Sequence, residues 1–395
     1  MMNLNTRNAD YNTIVDLLRQ RQAVTHDLVV PASQLRSRHA VLHVKGAEQH
    51  ISMAGVTNVD GTYRPTQVAD EGIATKLGMP VAYLRKLRNE AADLYDANVN
   101  GWLHGKQVRR AAPTPQETSY VDVVRPADTR SFMLRTFRNP EGGEGVARAF
   151  LSDRYDVVDD LDALVAVLGA VRDSGIDVQI PTADLTDRNM FVRVTAPQIQ
   201  ALAPELLKGY RSPFTGESGT DNPVVFAGFE IRNSEVGCGA FSIVPMITVL
   251  VCKNGMTFTK EAYRKVHLGG KLDQGVIVAS AETRRKNIEL IKSQTKDAVR
   301  AFLNPEYVAG KVAELERQAG IEVTSPEKTV KAVCKKLSFS ESEADGILGH
   351  FVKGGQLTAG GIMNAITSFS QTVDSADRAR VLDDAAVESM ALLGR

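Results

Sequence analysis

Cysteine is scarce in this chain. Cys238, Cys252 and Cys334 are the only three in 395 residues, and no two of them stand in C-x-x-C spacing. Three thiols cannot staple a chain of this length, so the sequence predicts reduced, mostly buried cysteines in a reducing compartment. Long apolar runs are missing too. The longest, Phe241 to Val251, is interrupted by Ser242, Pro245 and Thr248, short of the ~18 residues a spanning helix needs. Met1 to Asp16 is polar and has no signal-peptide h-region. A cytoplasmic protein with no membrane partner is the expectation.

Net charge is also absent, since 47 basic residues balance 47 acidic ones. A polyanion must therefore be met by a local patch, because the molecule as a whole has no field to attract it. G-x-S-x-G, H-E-x-x-H, G-x-G-x-x-G and the Walker loop are all missing. No cofactor is expected, and nothing demands an enzyme. His39 and His43 would share one face of a strand, but zinc needs further ligands, so no metal is expected.

What is present is ordinary globular material, 43% apolar and 24% charged, long enough for two or three domains. Met1 to Asn8 is expected to fray, and Tyr11 to Gln22 has helical periodicity. Leu28 to Val30 and Ala40 to Val44 suit short strands, with a turn at Asp60-Gly61-Thr62. Thr66 to Asn98 is helical and divides at Leu77-Gly78-Met79-Pro80. Val108 to Thr118, with Pro113 and Pro115, suits a linker. Strands follow, with Tyr120 to Val124 and Phe132 to Phe137 set around a turn. From Ala279 the chain turns helical, with a capping-box spacing at Ser340-x-x-Glu343. The expected architecture is α+β: a helix-turn-helix-like N-terminal region (1–110), an antiparallel strand-rich central domain with a long helix (119–305) and a C-terminal helical region (306–395).

Two constellations suit nucleic acid. In Gly72 to Arg88 two short helices cross at Gly78, and the second would expose Arg85, Lys86 and Arg88 as a recognition helix does. Between Lys253 and Arg300 eleven basic residues face five acidic ones. Here Arg264, Lys265, His267 and Lys271 flank Gly269-Gly270, where backbone can approach phosphates closely. Lys253, Arg284 and Arg285 would extend the track, and Tyr210, Phe214 and Tyr263 offer stacking faces. Two further clusters have structural explanations. Asn233 to Gly239, with Glu235 and Cys238, suits a tight turn. Asp153, Asp156, Asp159, Asp160 and Asp162 suit a helix N-terminus, although a nuclease would use such carboxylates for Mg²⁺.

Five stretches carry a resemblance that runs in order along most of the chain. They are Leu77-Gly78-Met79-Pro80-x-x-Tyr83, Phe150-Leu151-Ser152-Asp153-Arg154-Tyr155, Asn233 to Gly237 with Leu250 to Met256, Val266-His267-Leu268-Gly269, and Asn364-Ala365-Ile366-Thr367. In these the chain resembles the phage/plasmid-like proteins of domain-of-unknown-function family 932. The resemblance implies DNA metabolism or host takeover as the setting, in the host cytoplasm if the chain is phage-encoded. A fainter likeness to single-strand annealing recombinases is an analogy of fold alone.

Three functions are left open. The first is DNA binding, single-stranded by preference, as in recombination by a homo-oligomer. The second is a host-directed protein interaction without nucleic acid. The third is a metal-dependent nuclease built on the aspartate cluster and Glu235.

Overall fold

The computed structural model describes residues 5–45, 50–52, 55–57, 60–111, 120–155, 157–253, 255–265 and 281–393. The N-terminal third runs β1 (Thr6–Ala9), α1 (Tyr11–Val24), β2 (Thr25–Pro31), β3 (Leu35–Arg38), β4 (Val41–Val44), β5 (His50–Ser52), β6 (Gly55–Thr57) and β7 (Gly61–Pro65). Three helices follow, α2 (Gln67–Leu77), α3 (Val81–Glu90) and α4 (Ala92–His104). The middle contains β8 (Lys106–Ala111), β9 (Tyr120–Arg125), β10 (Ser131–Phe137), β11 (Gly145–Ser152), α5 (Asp160–Ser174), β12 (Gln179–Leu185), β13 (Met190–Leu202) and α6 (Pro204–Leu207). Then come β14 (Val224–Asn233), β15 (Phe241–Val249), β16 (Gly255–Thr257) and β17 (Tyr263–Lys265). The chain ends in α7 (Ala281–Phe302), α8 (Pro305–Ala319), α9 (Pro326–Lys336), α10 (Glu341–Gly354), α11 (Ala359–Ser370) and α12 (Ala376–Ala391).

Two large sheets organise these elements, in an α+β arrangement with helical segments toward both ends. The first is mixed, in the order β2-β10-β11-β7-β4-β3, with β7 parallel to β11. Helices α2 to α4 cover one of its faces, and Ile73, Leu84, Tyr95, Phe132, Leu134 and Phe150 fill the space between. The second is antiparallel, in the order β1-β12-β13-β14-β15, with β16 and β17 both paired to β15. Alternation along β14 sends Val225, Ala227, Phe229 and Ile231 into a core shared with Leu164 and Val167 of α5 and Ile291 and Val299 of α7. The other face of β14 carries Glu230 and Arg232, and α12 lies over them through Arg380 and Asp384. Among the described residues no helix is long and apolar enough to cross a membrane.

Local signals hold where they are strongest. Gly78 sits in the left-handed region (φ 70°) and ends α2, and Ser340 and Glu343 form the reciprocal capping box of α10. Long-range pairing overrides other expectations. The N-terminus is tied down at residues 6–9, where β1 adds a strand beside β12. Gly61 opens strand β7, which pairs with β4 and β11. The expected linker overlaps β8, whose partner is β9, so β9 and β10 form no hairpin with each other. The first sheet takes strands from both sides of the expected domain boundary near 110–119.

One glycine sets how closely α2 approaches its sheet. A Cβ at Gly72 would overlap the carbonyl oxygen of Phe150 on β11. Gly72→Ala should therefore lose about 1–3 kcal/mol through backbone displacement, outweighing the gain of about 1 kcal/mol in helix propensity. Urea unfolding checks this, and a midpoint equal to or above wild type would refute it.

Candidate nucleic-acid interface

The helix-turn-helix-like pair forms but turns two of its three cations inward. Arg85 pairs with Glu71 and donates to the Gln67 carbonyl at 3.2 Å. Arg88 Nη1 is 2.7 Å from Asp70 Oδ2. Burial raises the Asp70 carboxyl to about 6 against the pull of Arg88, and Tyr95 also donates to it. Lys86 stays exposed, 3.8 Å from Glu90. Helices α2 and α3 thus serve to cover the first sheet, and Arg85 and Arg88 spend their donors inside the protein.

The basic stretch after β15 is spread out. Arg264 is exposed on β17 and donates to the Thr259 carbonyl at 3.1 Å, while Lys265 pairs by backbone with Phe241. Arg285 is exposed on α7, 3.9 Å from Glu289, and Arg284 precedes it on that helix. His267, Gly269, Gly270 and Lys271 lie outside the described residues. Arg264 stands opposite Ser242 at the start of β15, whereas Lys253 follows its other end. At about 3.3 Å per residue this separates them by more than roughly 20 Å along the strand. Lys253 therefore does not extend the patch around Arg264. The proposed stacking faces also disperse, since Tyr210 is buried and Tyr263 hydrogen-bonds Gln294.

Asp156 lies outside the described residues, and Asp159, Asp160 and Glu235 come together in a buried cluster where arginines and an asparagine take them up. Asp159 accepts from Arg135 at 2.6 Å, and Asp160 accepts from Asn233 at 2.8 Å. Glu235 is buried and accepts from Arg148 at 2.6 Å. Burial opposes its ionisation, yet Arg148 and Arg135 outweigh burial and hold the carboxyl down to about 2. Among the described residues no group of three metal-ligating side chains forms. Burial raises the Cys238 thiol against the pull of Arg188, the reverse of what a nucleophile needs.

The register of the first sheet reveals a different basic surface. Strand β3 alternates, with Leu35 and Ser37 buried and Arg36 and Arg38 exposed. Arg36 stands opposite His43, and His43 opposite Thr62, so one row crosses three strands on the face away from α2 to α4. Arg38 stands opposite Val41, and Arg64 lies two residues beyond Thr62 on the same face. The nearby acid is Glu144, which receives Arg64 Nε at 2.6 Å as an exposed pair. The pair is forked, with Arg64 Nη2 also donating to Glu144 Oε2 at 3.2 Å, and being exposed it is screened by salt.

This face runs into a cleft of about 720 Å³ between the two sheets, lined by Arg64 and Val146 on one side and by Arg7 and Arg188 on the other. The first residues of α2 and α12 also line it, behind their N-caps Thr66 and Ser375. Helix N-termini present unpaired N–H groups and positive dipole ends, which suit anions. Asp187, Asp374 and Asp377 temper that charge, and Asp377 is occupied by Asn189 at 2.6 Å. Arg188 bridges to Glu71, and Arg7 reaches Asp184 at 2.7 Å. None of these cations stood out in the sequence, although the period-two pattern of Leu35 to Arg38 could have pointed to Arg36 and Arg38. Arg7, Arg64 and Arg188 come together only through the tertiary fold.

Comparison of the chain with protein-family models, curated proteins and solved structures finds no match.

Proposed function

We propose that this chain binds nucleic acid, single strands by preference, across the arginine-bearing face of β3, β4 and β7 and into the adjoining cleft. The observation that supports this is the register, which sets Arg36, Arg38, His43 and Arg64 on the face turned away from α2 to α4, with the three arginines exposed. An arginine-bearing sheet face can follow one phosphate backbone, whereas duplex reading needs a helix or ribbon that enters a groove. No aromatic residue stands on this face of β3, β4 or β7, because Tyr63 is buried among the core residues beneath. Phosphate contacts should therefore dominate, with weak sequence preference and steep salt dependence. The resemblance to phage and plasmid proteins makes DNA metabolism in a host cytoplasm the setting we favour, with strand annealing by a homo-oligomer as the particular role.

The test is binding of labelled single- and double-stranded DNA over a range of salt concentrations. Two triple variants are compared, Arg36→Ala/Arg38→Ala/Arg64→Ala and Arg264→Ala/Lys265→Ala/Lys271→Ala. Losing three phosphate contacts should flatten the log–log salt slope for single strands by about 2 and weaken binding by about a hundredfold. Loss confined to the second variant would move the interface to β17 and the residues that follow it. No binding by the wild-type protein even at low salt would remove nucleic acid altogether and favour a host protein partner.

A further inference from the structure

The two sheets meet at a buried cluster of charge. Arg21 of α1, Arg135 of β10 and Arg148 of β11 face Asp27 of β2, Asp159 and Asp160 at the start of α5, and Glu235 of the β14–β15 turn. Three cations thus face four carboxylates. Arg135 is shared by Asp27, Asp159 and the Glu235 carbonyl, and Arg148 is taken by Glu235. Asp160 is the least well matched. Its Oδ2 stands 3.9 Å from Arg21 Nη1, while Arg21 Nη2 donates to Asn5 and to the Thr186 carbonyl.

The neighbour of Asp160 on β14 gives the second clue. Asn233 Nδ2 donates to Asp160 Oδ1 at 2.8 Å, yet its own buried Oδ1 has no hydrogen-bond partner. A primary amide and a carboxyl group satisfy each other in both directions only when the acid keeps its proton: amide N–H to acid carbonyl, acid O–H to amide oxygen. A bare carboxylate offers no such donor, and a buried acceptor left unpaired is costly.

We propose that Asp160 is a proton-operated latch that fastens the start of α5 to the end of β14, beside the joint between the two sheets. Neutral Asp160 closes against Asn233. Once its proton passes to solvent, a second buried carboxylate stands beside Glu235 and the joint loosens. Burial and the neighbouring Glu235 raise the Asp160 carboxyl to about 8, against Arg21 and Arg148. Asp162 on the same helix also feels Asp159 and Glu235, and Asp187 of the β12–β13 turn acts on Arg21. Because the folded state favours the protonated acid, its stabilising effect declines as pH climbs from the ordinary aspartate range through about 8.

Hydrogen exchange tests this in the full-length protein without any nucleic acid, so its outcome is separate from that of the proposed function. The informative amides are that of Asp160, which donates to Glu235 Oε1, and its neighbours in residues 233–236. Their protection, corrected for intrinsic rate, should fall about tenfold between pH 7 and pH 9 in the wild-type protein. In Asp160→Asn, which keeps the shape and a donor for Asn233, it should not change. Equal wild-type protection at both pH values, or an equal fall in Asp160→Asn, would overturn the latch. Should that variant not fold, Glu235→Gln supplies a second arm. Removing one of the charges that raise Asp160 should move the wild-type transition to lower pH, and an unmoved or raised transition contradicts the proposal.

Discussion

Glu230→Ala should lose about 3–5 kcal/mol of stability, the usual cost of breaking a buried ion pair from one side. Glu230 lies fully buried on β14 and meets Arg380 at 2.6 Å, Arg232 at 2.7 Å and Arg193 at 3.4 Å. Burial alone would raise its carboxyl, but the three guanidinium groups outweigh burial and hold it down to about 2. The charge therefore persists, and its stabilising effect is present above the ordinary glutamate range and is lost as pH falls through about 2. Without Glu230 the arginines keep Asp184, Asp383 and Asp384, but the middle of the network is empty and their desolvation is no longer offset. Urea unfolding of the variant measures the loss. A midpoint equal to wild type would mean that the outer carboxylates suffice.

A loss of similar size is expected for Arg135→Met, at the joint between the sheets. This side chain is 1% exposed and reaches Asp27 at 2.9 Å and Asp159 at 2.6 Å. Methionine fills much of the volume, so the expected loss of about 3–5 kcal/mol comes from carboxylates left without their cation. That origin is separable. Adding Asp159→Asn to Arg135→Met should restore part of the stability, because the second change removes a charge the first left stranded. Strict additivity of the two losses would show instead that packing is the cause.

Local chemistry made the helices legible. The Gly78 turn and the Ser340–Glu343 box need only neighbouring residues, and both are present in the structure. The sheets were less legible because their pairings are remote. Strand β2 finds β10 about a hundred residues later, and β1 finds β12 still further on. Short apolar runs show that a strand exists without naming its partner. The basic surface follows the same rule. Counting charge drew attention to Lys253 and Arg264, which one strand holds at opposite ends. Arg36 and Arg38 are visible in the sequence as an alternation, but that α2 to α4 lie on the opposite face from them is set by the tertiary fold. The cations of α3 were misleading for a similar reason, since nothing local showed that Glu71 and Asp70 would take Arg85 and Arg88.

The charged network under α12 has a consequence for how the protein is made. Asp184 and Glu230 leave the ribosome long before Arg380, which joins both of them at the end. At about 5–20 residues per second, the ~150 residues between Glu230 and Arg380 take roughly 8–30 s to synthesise. Throughout that interval one face of the central strands carries hydrated charge that only Arg7, Arg193 and Arg232 are there to pair. Strands that must wait for their last partner are protected from neighbouring nascent chains by the same carboxylates and guanidinium groups that later fasten α12 in place.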